Sequence, residues 1–353
     1  MQSNFVKAGL FAAALVIAFI FSWEIYLRNN GNTISYDDGE PLWSDKRAKV
    51  YLPSDQATVF IGSSRIKYDL DIPTWENLTG DKAVQLAFVG SSPLPVLFHL
   101  ADDPEFKGKM IIDVVEGLLF GSNPMMFKRP NESIDYYKKR TPTQRASFQV
   151  NHFLESNFVF LNSEYFTINR YLTELRIPDR SGVMGEPLFP KEFGRISFER
   201  QRSMTEEFVK DTNLQKQVKD IWAFFGRALK EPPPQGAKLD SILQSIKVAV
   251  NKIKSRGGEV IFVRPPSSGP YLMAEQKGFP REKYWNKLLK YTSTPGIHFK
   301  DDPATANFVC PEFSHLSPED AITYTKALIR TLEQKGWKFP YKPAAQKQLA
   351  ANK

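Results

Sequence analysis

The stretch Thr58-Val59-Phe60-Ile61-Gly62-Ser63-Ser64-Arg65 indicates how this chain folds. Four residues suited to a buried strand run into a glycine, two serines and an arginine. A strand that ends in this way leaves the second serine on a sharp turn at the edge of a sheet, with backbone N–H groups around it. Open α/β sheets bind ligands at such carboxyl ends of their strands. We therefore expect Ser64 to lie at a ligand-binding edge.

Further apolar strands follow at 83–88, 110–115, 260–263 and 297–299, and segments with helical signals separate them. Gly257-Gly258 ends one long amphipathic helix. Ser317-Pro318, with Asp320 at the third helical position, begins the last one. Alternating strands and helices predict an α/β domain with a parallel sheet. The pattern covers 57–121 and 237–336, and 122–236 interrupts it.

The composition is that of a chain that can bury a core, with 353 residues, 42% hydrophobic residues and a mean hydropathy of -0.37. Cys310 is the one cysteine, which excludes an internal disulfide and a cysteine-based zinc site. The net charge is +8, and five lysines without an acid lie from Lys335 onward. We predict a basic tail at 337–353 and no nucleic-acid partner, because aromatic residues do not alternate with the basic ones.

The N-terminal residues predict a membrane anchor at 5–27. The stretch 8–21 carries no charge, and Trp23 and Tyr26 lie beyond it, as in aromatic belts at membrane interfaces. A cleaved signal peptide is the alternative, although the residues that follow the apolar run are not the small ones that cleavage requires. The short leader favours a cytoplasmic N-terminus and an exported domain on the cytoplasmic membrane. The polar stretch 28–56 is predicted to be a linker.

The segment 122–236 contains helical periodicity and no clear strand. Leu214, Val218, Ile221, Trp222 and Phe225 fall on one face of a helix, and three prolines stop it at 232–234. We interpret this segment as a helical insertion. It is either a lid that shapes the substrate site or simple peripheral packing, and the sequence does not decide between them.

A second polar motif, Pro311-Glu312-Phe313-Ser314-His315-Leu316, lies just before the last helix. A serine hydroxyl becomes a useful nucleophile when a histidine accepts its proton and an acid orients that histidine. We therefore predict Ser64 as nucleophile, His315 as base and Glu312 as orienting acid. The N–H groups of Ser64 and Gly90, at the ends of adjacent strands, would bind the oxyanion. No metal or cofactor motif accompanies them.

These motifs resemble those of the SGNH/GDSL hydrolase superfamily over about 57–116 and 237–334. Gly-Ser-Ser replaces the usual Gly-Asp-Ser, and Glu312 stands where the family has Asp. At the position of the family's asparagine this chain has Glu116, and Asn123 is a more distant substitute. The resemblance implies a flavodoxin-like three-layer fold and Ser-His-acid chemistry on esters. Anchored, exported relatives imply an acylated carbohydrate, such as an O-acetylated one, as substrate and a membrane-bound O-acyltransferase as partner.

Several alternatives stay open at this stage. Arg65 and Arg264 are candidates for binding an anionic or carbohydrate group, or equally for a structural ion pair. The chain is an exported serine esterase or acyltransferase, or a catalytically silent binding or assembly partner of an acyltransferase. A third hypothesis is a sensor that uses the pocket only to bind a ligand.

Overall fold

The computed structural model describes residues 2–175, 188–228 and 232–340. The chain divides into two compact units, and each is described by itself below. The first unit comprises Met1–Asp37 and Thr141–Leu188, and the second comprises Asp38–Arg140 and Phe189–Lys353.

Sixteen helices are present in the described residues. In chain order they are α1 Gln2–Asn29, α2 Glu40–Ala48, α3 Ser64–Asp69, α4 Ile72–Thr79, α5 Leu94–Ala101, α6 Glu116–Leu119, α7 Met125–Lys139, α8 Pro142–Glu155, α9 Ser163–Phe166, α10 Ile168–Glu174, α11 Glu206–Lys210, α12 Thr212–Ala228, α13 Gly236–Ser255, α14 Gly269–Gly278, α15 Trp285–Thr292 and α16 Pro318–Gln334. Short 3₁₀ turns occur at Lys49–Tyr51, Val159–Leu161, Lys191–Phe193 and Phe299–Asp301.

The second unit is built on a five-stranded parallel sheet in the order β2-β1-β3-β6-β7. The strands of the chain are β1 Ala57–Ile61, β2 Lys82–Gln85, β3 Lys109–Asp113, β4 Arg195–Ile196, β5 Arg202–Ser203, β6 Glu259–Arg264 and β7 Gly296–His298. The α/β class and the five strands of the sequence analysis are therefore confirmed. β4 and β5 form a separate antiparallel pair.

Helices cover both faces of this sheet. Because successive strand residues point to opposite sides, neighbouring residues of one strand pack against different helices. In β1, Val59 and Ile61 join one buried cluster with residues of α5 and α13. Phe60, between them, joins a second cluster with residues of α4 and α16. Strands that are buried on both faces are continuous apolar stretches in the sequence, and these strands could therefore be predicted.

β1 pairs with β2 on one side and with β3 on the other. The chain passes from β1 to β2 on one side and then crosses back to β3 on the other side of β1. Ligand sites of open α/β sheets lie at such a switch point, outside the carboxyl ends of the strands. Ser64 follows β1 directly and therefore lies there.

In the first unit, α1 contains one stretch, Asn4–Asn29, that is long and apolar enough to cross a membrane. The rings of Trp23 and Tyr26 stack at 5.4 Å near its C-terminal end. Glu24 lies in the same turn and is buried. The predicted anchor at 5–27 thus falls within a continuous helix.

Two predicted segments differ from the structure. The stretch 28–56, interpreted as a linker, contains α2, and its Trp43 is fully buried and stacks on Phe88 at 5.6 Å. The tail predicted from 337 begins with Trp337 and Phe339, which are buried in the core cluster around α16. In both segments a few large aromatic residues account for the packing into the core. The apolar surface that each one buries stabilises this packing although most of the neighbouring residues are polar. The rest of the predicted tail, 341–353, lies outside the described residues.

The predicted insertion at 122–236 is divided between the two units. Residues 141–188 belong to the first unit, whereas 122–140 and 189–236 belong to the α/β unit. The segment is also not purely helical, because it contains the β4–β5 pair.

Candidate active site

The end of β1 is held by a close approach to β3. A Cβ on Gly62 would lie 2.3 Å from the Cβ of Asp113, so that only glycine fits at this position. Asp113 Oδ2 accepts hydrogen bonds from the backbone N–H of Ser63 at 2.8 Å and from its hydroxyl at 2.7 Å. Ser63 is thereby fixed inside the protein and caps α3. The hydroxyl of Ser64, the next residue, points elsewhere.

The structure brings Ser64, His315 and Glu312 together. His315 Nε2 lies 2.8 Å from Ser64 Oγ, and His315 Nδ1 lies 2.9 Å from Glu312 Oε1. Glu312 and His315 are fully buried, whereas Ser64 is half-buried. The acid and the base are thus shielded from water while the serine hydroxyl remains accessible. In this arrangement the carboxylate can orient the imidazole, and the imidazole can accept a proton from the serine hydroxyl.

The loop that carries Glu312 and His315 is held in a specific backbone conformation. Phe313 adopts φ +78°, which is uncommon for a residue with a side chain, and its carbonyl accepts a hydrogen bond from Ser268 N–H at 2.9 Å. This turn lets Glu312 Oε1 accept the backbone N–H of His315 at 2.6 Å as well as its ring N–H. Backbone strain of this kind is concentrated at functional sites.

Aromatic side chains surround the imidazole of His315. The ring centroids of Tyr68, Phe193 and Trp222 lie 4.4, 5.7 and 6.0 Å from it. The indole N–H of Trp222 also donates a short hydrogen bond to Glu312 Oε2. Glu312 therefore uses one oxygen for the histidine and the other for the tryptophan, which fixes the orientation of its carboxylate.

Trp222 contacts the acid and the base of the candidate site, which the sequence analysis did not predict. It was assigned to the packing face of a helix, and that helix, α12, does present it inward. Nothing in the sequence links residue 222 to residue 312, because their contact depends on how α12 lies over the strand ends. The part of the insertion at 189–228 contributes directly to the candidate site through Phe193 and Trp222.

The backbone N–H groups of Ser64 and Gly90 lie at adjacent strand ends. Leu86 N–H donates to Phe60 and Phe88 N–H donates to Gly62, so the register of β1 and β2 continues toward these two residues. Gly90 has φ +63°. Neither N–H has an acceptor among the described residues. Both are therefore free to donate to a bound oxyanion.

The two positions compared with the family's asparagine make other contacts. Glu116 is a buried carboxylate 3.4 Å from the guanidinium of Arg264, and burial raises its pKa. Asn123 uses its amide oxygen to accept the N–H of Met125 at 3.0 Å at the start of α7. The candidate oxyanion site therefore consists of the N–H groups of Ser64 and Gly90.

Arg65 and Arg264, considered above as substrate-binding residues, are buried in an ion-pair network. Both pair with Glu275 of α14, and Arg264 Nη2 lies 2.6 Å from Glu275 Oε2. Although burial opposes ionisation, Arg264 and Arg65 together lower the pKa of Glu275 to about 2. Arg65 also donates to Ser314 Oγ at 3.4 Å. The structural ion pair is thus the correct alternative, since neither guanidinium faces solvent.

A cleft of about 550 Å³ lies beside the triad in the α/β unit. Its walls come from the residues that follow β3, from α12 and from α14. Ser64 and His315 do not line it, but Trp222, Tyr271, Glu275 and Phe313 do. These four residues also contact the triad, its loop or Arg65, so the cleft and the triad share a wall.

No family model matches the chain, and no curated protein matches it either. Among the described residues, no group of three or more His, Cys, Asp or Glu side chains is placed to hold a metal ion. The geometry of the site is therefore the basis for its chemistry.

Proposed function

We propose that this chain is a membrane-anchored serine esterase or acyltransferase that acts on O-acyl groups through Ser64, His315 and Glu312. One observation carries the proposal: a half-buried serine hydroxyl lies 2.8 Å from an imidazole whose other nitrogen lies 2.9 Å from a buried carboxylate. In this arrangement a histidine acts as a general base toward a serine.

The reaction would proceed in two stages. Ser64 Oγ attacks the ester carbonyl as its proton passes to His315 Nε2, and Glu312 stabilises the resulting imidazolium. The N–H groups of Ser64 and Gly90 donate to the oxyanion. The C–O bond to the leaving alcohol then breaks, and the alcohol takes the proton from His315. Water or a sugar hydroxyl attacks the acyl-serine by the reverse route, giving hydrolysis or transfer.

The order of the sheet supports the finer assignment of the fold. The five strands counted along the chain lie in the order 2-1-3-4-5, which is the flavodoxin-like order. Together with Gly-Ser-Ser after the first strand and Glu-x-x-His before the last helix, this order favours an SGNH-type domain. That resemblance is the basis for proposing an acylated carbohydrate as substrate and a membrane-bound O-acyltransferase as partner.

The membrane part of the proposal rests on α1. Its apolar stretch has the length of a membrane span, and Trp23 and Tyr26 suit the interface. We propose a single-pass protein of the cytoplasmic membrane whose α/β unit is exported.

The proposed chemistry is tested by hydrolysis of short-chain aryl esters with the full chain in detergent. Ser64→Ala and His315→Ala are each expected to lower kcat by about 10³-fold or more, because removing one member disables the unit. A purified wild-type chain that hydrolyses no ester, or variants as active as the wild type, would contradict the proposal.

A catalytically silent binding or assembly partner of an acyltransferase is the second candidate. It is favoured by position 116, where an ion-paired carboxylate takes the place of an amide that could serve as a third oxyanion donor. A wild-type chain that binds acylated oligosaccharide but neither hydrolyses nor transfers the acyl group would favour this candidate.

A further inference from the structure

We propose that the cleft beside the triad binds the acyl group, and that this group is apolar and larger than acetyl. This inference rests on the proposed function, since it names the class of acyl group that the esterase or acyltransferase would accept. It is supported by the lining of the cleft and by the side chains that line the cleft and also contact the triad, its loop or Arg65.

The lining of the cleft is mostly apolar. Its apolar side chains include Leu118 and Phe120 after β3, Trp222 and Ala223 of α12, and Tyr271 of α14. A volume of about 550 Å³ lies within the usual range of small-molecule sites, roughly 300–1,000 Å³. Such a surface excludes water around a hydrocarbon, and an acetyl group would leave most of it uncovered.

The cleft is lined by neighbours of the nucleophile and of its acid. β3 is the immediate neighbour of β1, and the residues that follow β3 form one wall. Tyr271, which also lines the cleft, lies under the guanidinium of Arg65, the residue after the nucleophile, at 5.5 Å. Trp222 lines the cleft and donates a hydrogen bond to Glu312.

A chain-length series of 4-nitrophenyl esters, from acetate to octanoate, tests this proposal on the full chain in detergent. We expect kcat/KM of the wild type to rise with chain length, by up to about fourfold per methylene. Ala223→Trp fills the cleft from α12, where Ala223 is exposed. This variant should lower the octanoate-to-acetate ratio at least tenfold relative to the wild type.

The matched control is Val248→Trp on α13, where the side chain is 45% exposed and does not line the cleft. It should keep the wild-type ratio. Partitioning of esters into detergent is the same for all variants, so the ratio between variants reports the cleft alone. An Ala223→Trp profile equal to that of the wild type would overturn the proposal while leaving the esterase assignment intact. A wild type inactive on every ester would overturn both.

A second inference comes from the first unit and does not involve catalysis. The geometry points to a lipid face, defined here as Val150, Phe153, Ile168, Leu172 and Leu175, that lies on the membrane surface beside the end of α1. It rests on the proposed membrane anchor and goes beyond it, because it assigns the bilayer as the partner of residues far along the chain.

The lipid face consists of large apolar side chains that the protein leaves uncovered. Phe153 is 67% exposed and Ile168 is 77% exposed, and Val150, Leu172 and Leu175 are each more than half exposed. Val150 and Phe153 are three residues apart on α8, Ile168 and Leu172 are four residues apart on α10, and Leu175 directly follows α10. Each pair therefore lies on one side of its helix.

Contacts with α1 place these helices at the level of the bilayer boundary. The 3₁₀ turn Val159–Leu161 follows α8, and Glu24 of α1 accepts the N–H groups of Val159 at 2.9 Å and Phe160 at 3.3 Å. Phe158 packs against Phe21, the last residue of the apolar stretch 8–21, with ring centroids 6.4 Å apart.

The same contacts explain how an acid is accommodated at the end of a span. Glu24 is buried, and besides the two backbone N–H groups it receives Arg28 Nε at 2.6 Å. Arg28 donates in turn to the carbonyl of Asn157 at 2.9 Å. Residues 157–160 are thus fixed to the interfacial turn of α1, and the apolar sides of the adjoining α8 and α10 lie where headgroups meet acyl chains.

Site-specific fluorescence of the full chain in lipid nanodiscs tests this inference. In a Cys310→Ala background, Phe153→Cys or Leu172→Cys carries an environment-sensitive dye, and quenching by nitroxides on phospholipid acyl chains is measured. Phe19→Cys in α1 is the positive control, and Val248→Cys in the α/β unit is the negative control.

We expect strong quenching and blue-shifted emission at 153 and 172, as at 19, and neither at 248. Quenching at 19 but not at 153 or 172 would overturn the lipid face and leave the anchor intact. No quenching at 19 would overturn the anchor and the inference with it.

Discussion

Ser63 and Ser64 are adjacent residues of the same type with different roles. The hydroxyl of Ser63 donates to the buried carboxylate of Asp113, whereas that of Ser64 faces His315 Nε2. The sequence predicted Ser64 from its place after the strand and the glycine. It also predicted the acid and the base, because Glu312 and His315 are three residues apart on one loop. The contact of Trp222 with Glu312 was beyond such reasoning, because the two residues lie far apart in sequence. For Arg65 and Arg264 the sequence offered a structural ion pair as one of two alternatives but did not identify Glu275 as the partner.

At the residue scale, Trp222→Phe is predicted to lower kcat by about 10- to 100-fold with a small change in KM. The substitution keeps an aromatic ring beside His315 but removes the N–H that donates to Glu312 Oε2. A hydrogen bond to a charged group contributes about 1.5–3 kcal/mol. Steady-state kinetics with an aryl ester would measure the change.

Phe225→Leu is the matched control, because Phe225 is on the same helix and packs on Trp222 at 6.4 Å without reaching the triad. It should retain nearly the wild-type kcat. Equal losses in both variants would mean that Trp222 acts only through packing of α12.

At the scale of elements, α3 connects the nucleophile to a buried charge cluster. Lys67 of α3 and Arg200 both pair with Asp38. Arg200 also donates to the carbonyls of Gln85 at 2.8 Å and Ala87 at 3.1 Å, just before Gly90. The cluster thus fixes the helix that begins with Ser64 relative to the loop that carries Gly90.

This cluster predicts a pH dependence of stability. Burial, together with the charge of Arg200, lowers the pKa of Lys67 from 10.5 to about 7. Between these two values the unfolded chain binds more protons than the folded one, so the free energy of unfolding rises with pH. The rise is at most about 1.4 kcal/mol per pH unit.

Lys67→Met removes this contribution. Urea unfolding from pH 7 to 9 should therefore show the stability of the wild type increasing relative to that of the variant. Lys82→Met, at an exposed lysine paired with Glu76, is the control and should keep a constant difference. A constant difference for Lys67→Met as well would show that Lys67 keeps its proton throughout this range.

The helix α14 is joined to α3 and β6 through Glu275, which neutralises Arg65 and Arg264. Glu275→Gln is predicted to lower the free energy of unfolding by about 3–5 kcal/mol, because buried Arg65 loses its counter-charge and buried Arg264 keeps only that of Glu116. The pKa of Glu275 is lowered to about 2, so its contribution is present above pH 4.5 and is lost as the pH falls toward 2.

The difference between wild type and Glu275→Gln should accordingly be largest near neutral pH and shrink below pH 4.5 in denaturant titrations. Gln276→Ala, at the next and exposed residue of α14, should have little effect. A Glu275→Gln variant as stable as the wild type would show that the ion pairs contribute nothing net to folding.

At the scale of the whole molecule, the strands of the α/β unit could be predicted because each is a short apolar run that ends in polar residues or glycine. The segments that pack into the core but lie outside the alternation of strands and helices could not be predicted. Trp43 and Trp337 are buried among residues distant in sequence, so the polar composition of 28–56 and of the tail was misleading. The division of 122–236 between two units likewise depends on tertiary contacts.

The direction of insertion is a property of the whole chain. We predict a cytoplasmic N-terminus and an exported α/β unit, because a large domain follows the apolar run of α1. Alkaline phosphatase fused to the C-terminus should be active in a bacterial host, and a fluorescent protein that folds only in the cytoplasm should stay dark there. The reverse pair of results would place the α/β unit in the cytoplasm.

The central claim is that Ser64 is a nucleophile activated by His315. Labelling of the full chain with a fluorophosphonate, followed by mass-spectrometric location of the adduct, tests it most directly. We predict an adduct on Ser64 in the wild type and in Ser63→Ala, and none in Ser64→Ala or His315→Ala. An adduct on another residue, or undiminished labelling of Ser64→Ala, would contradict the account.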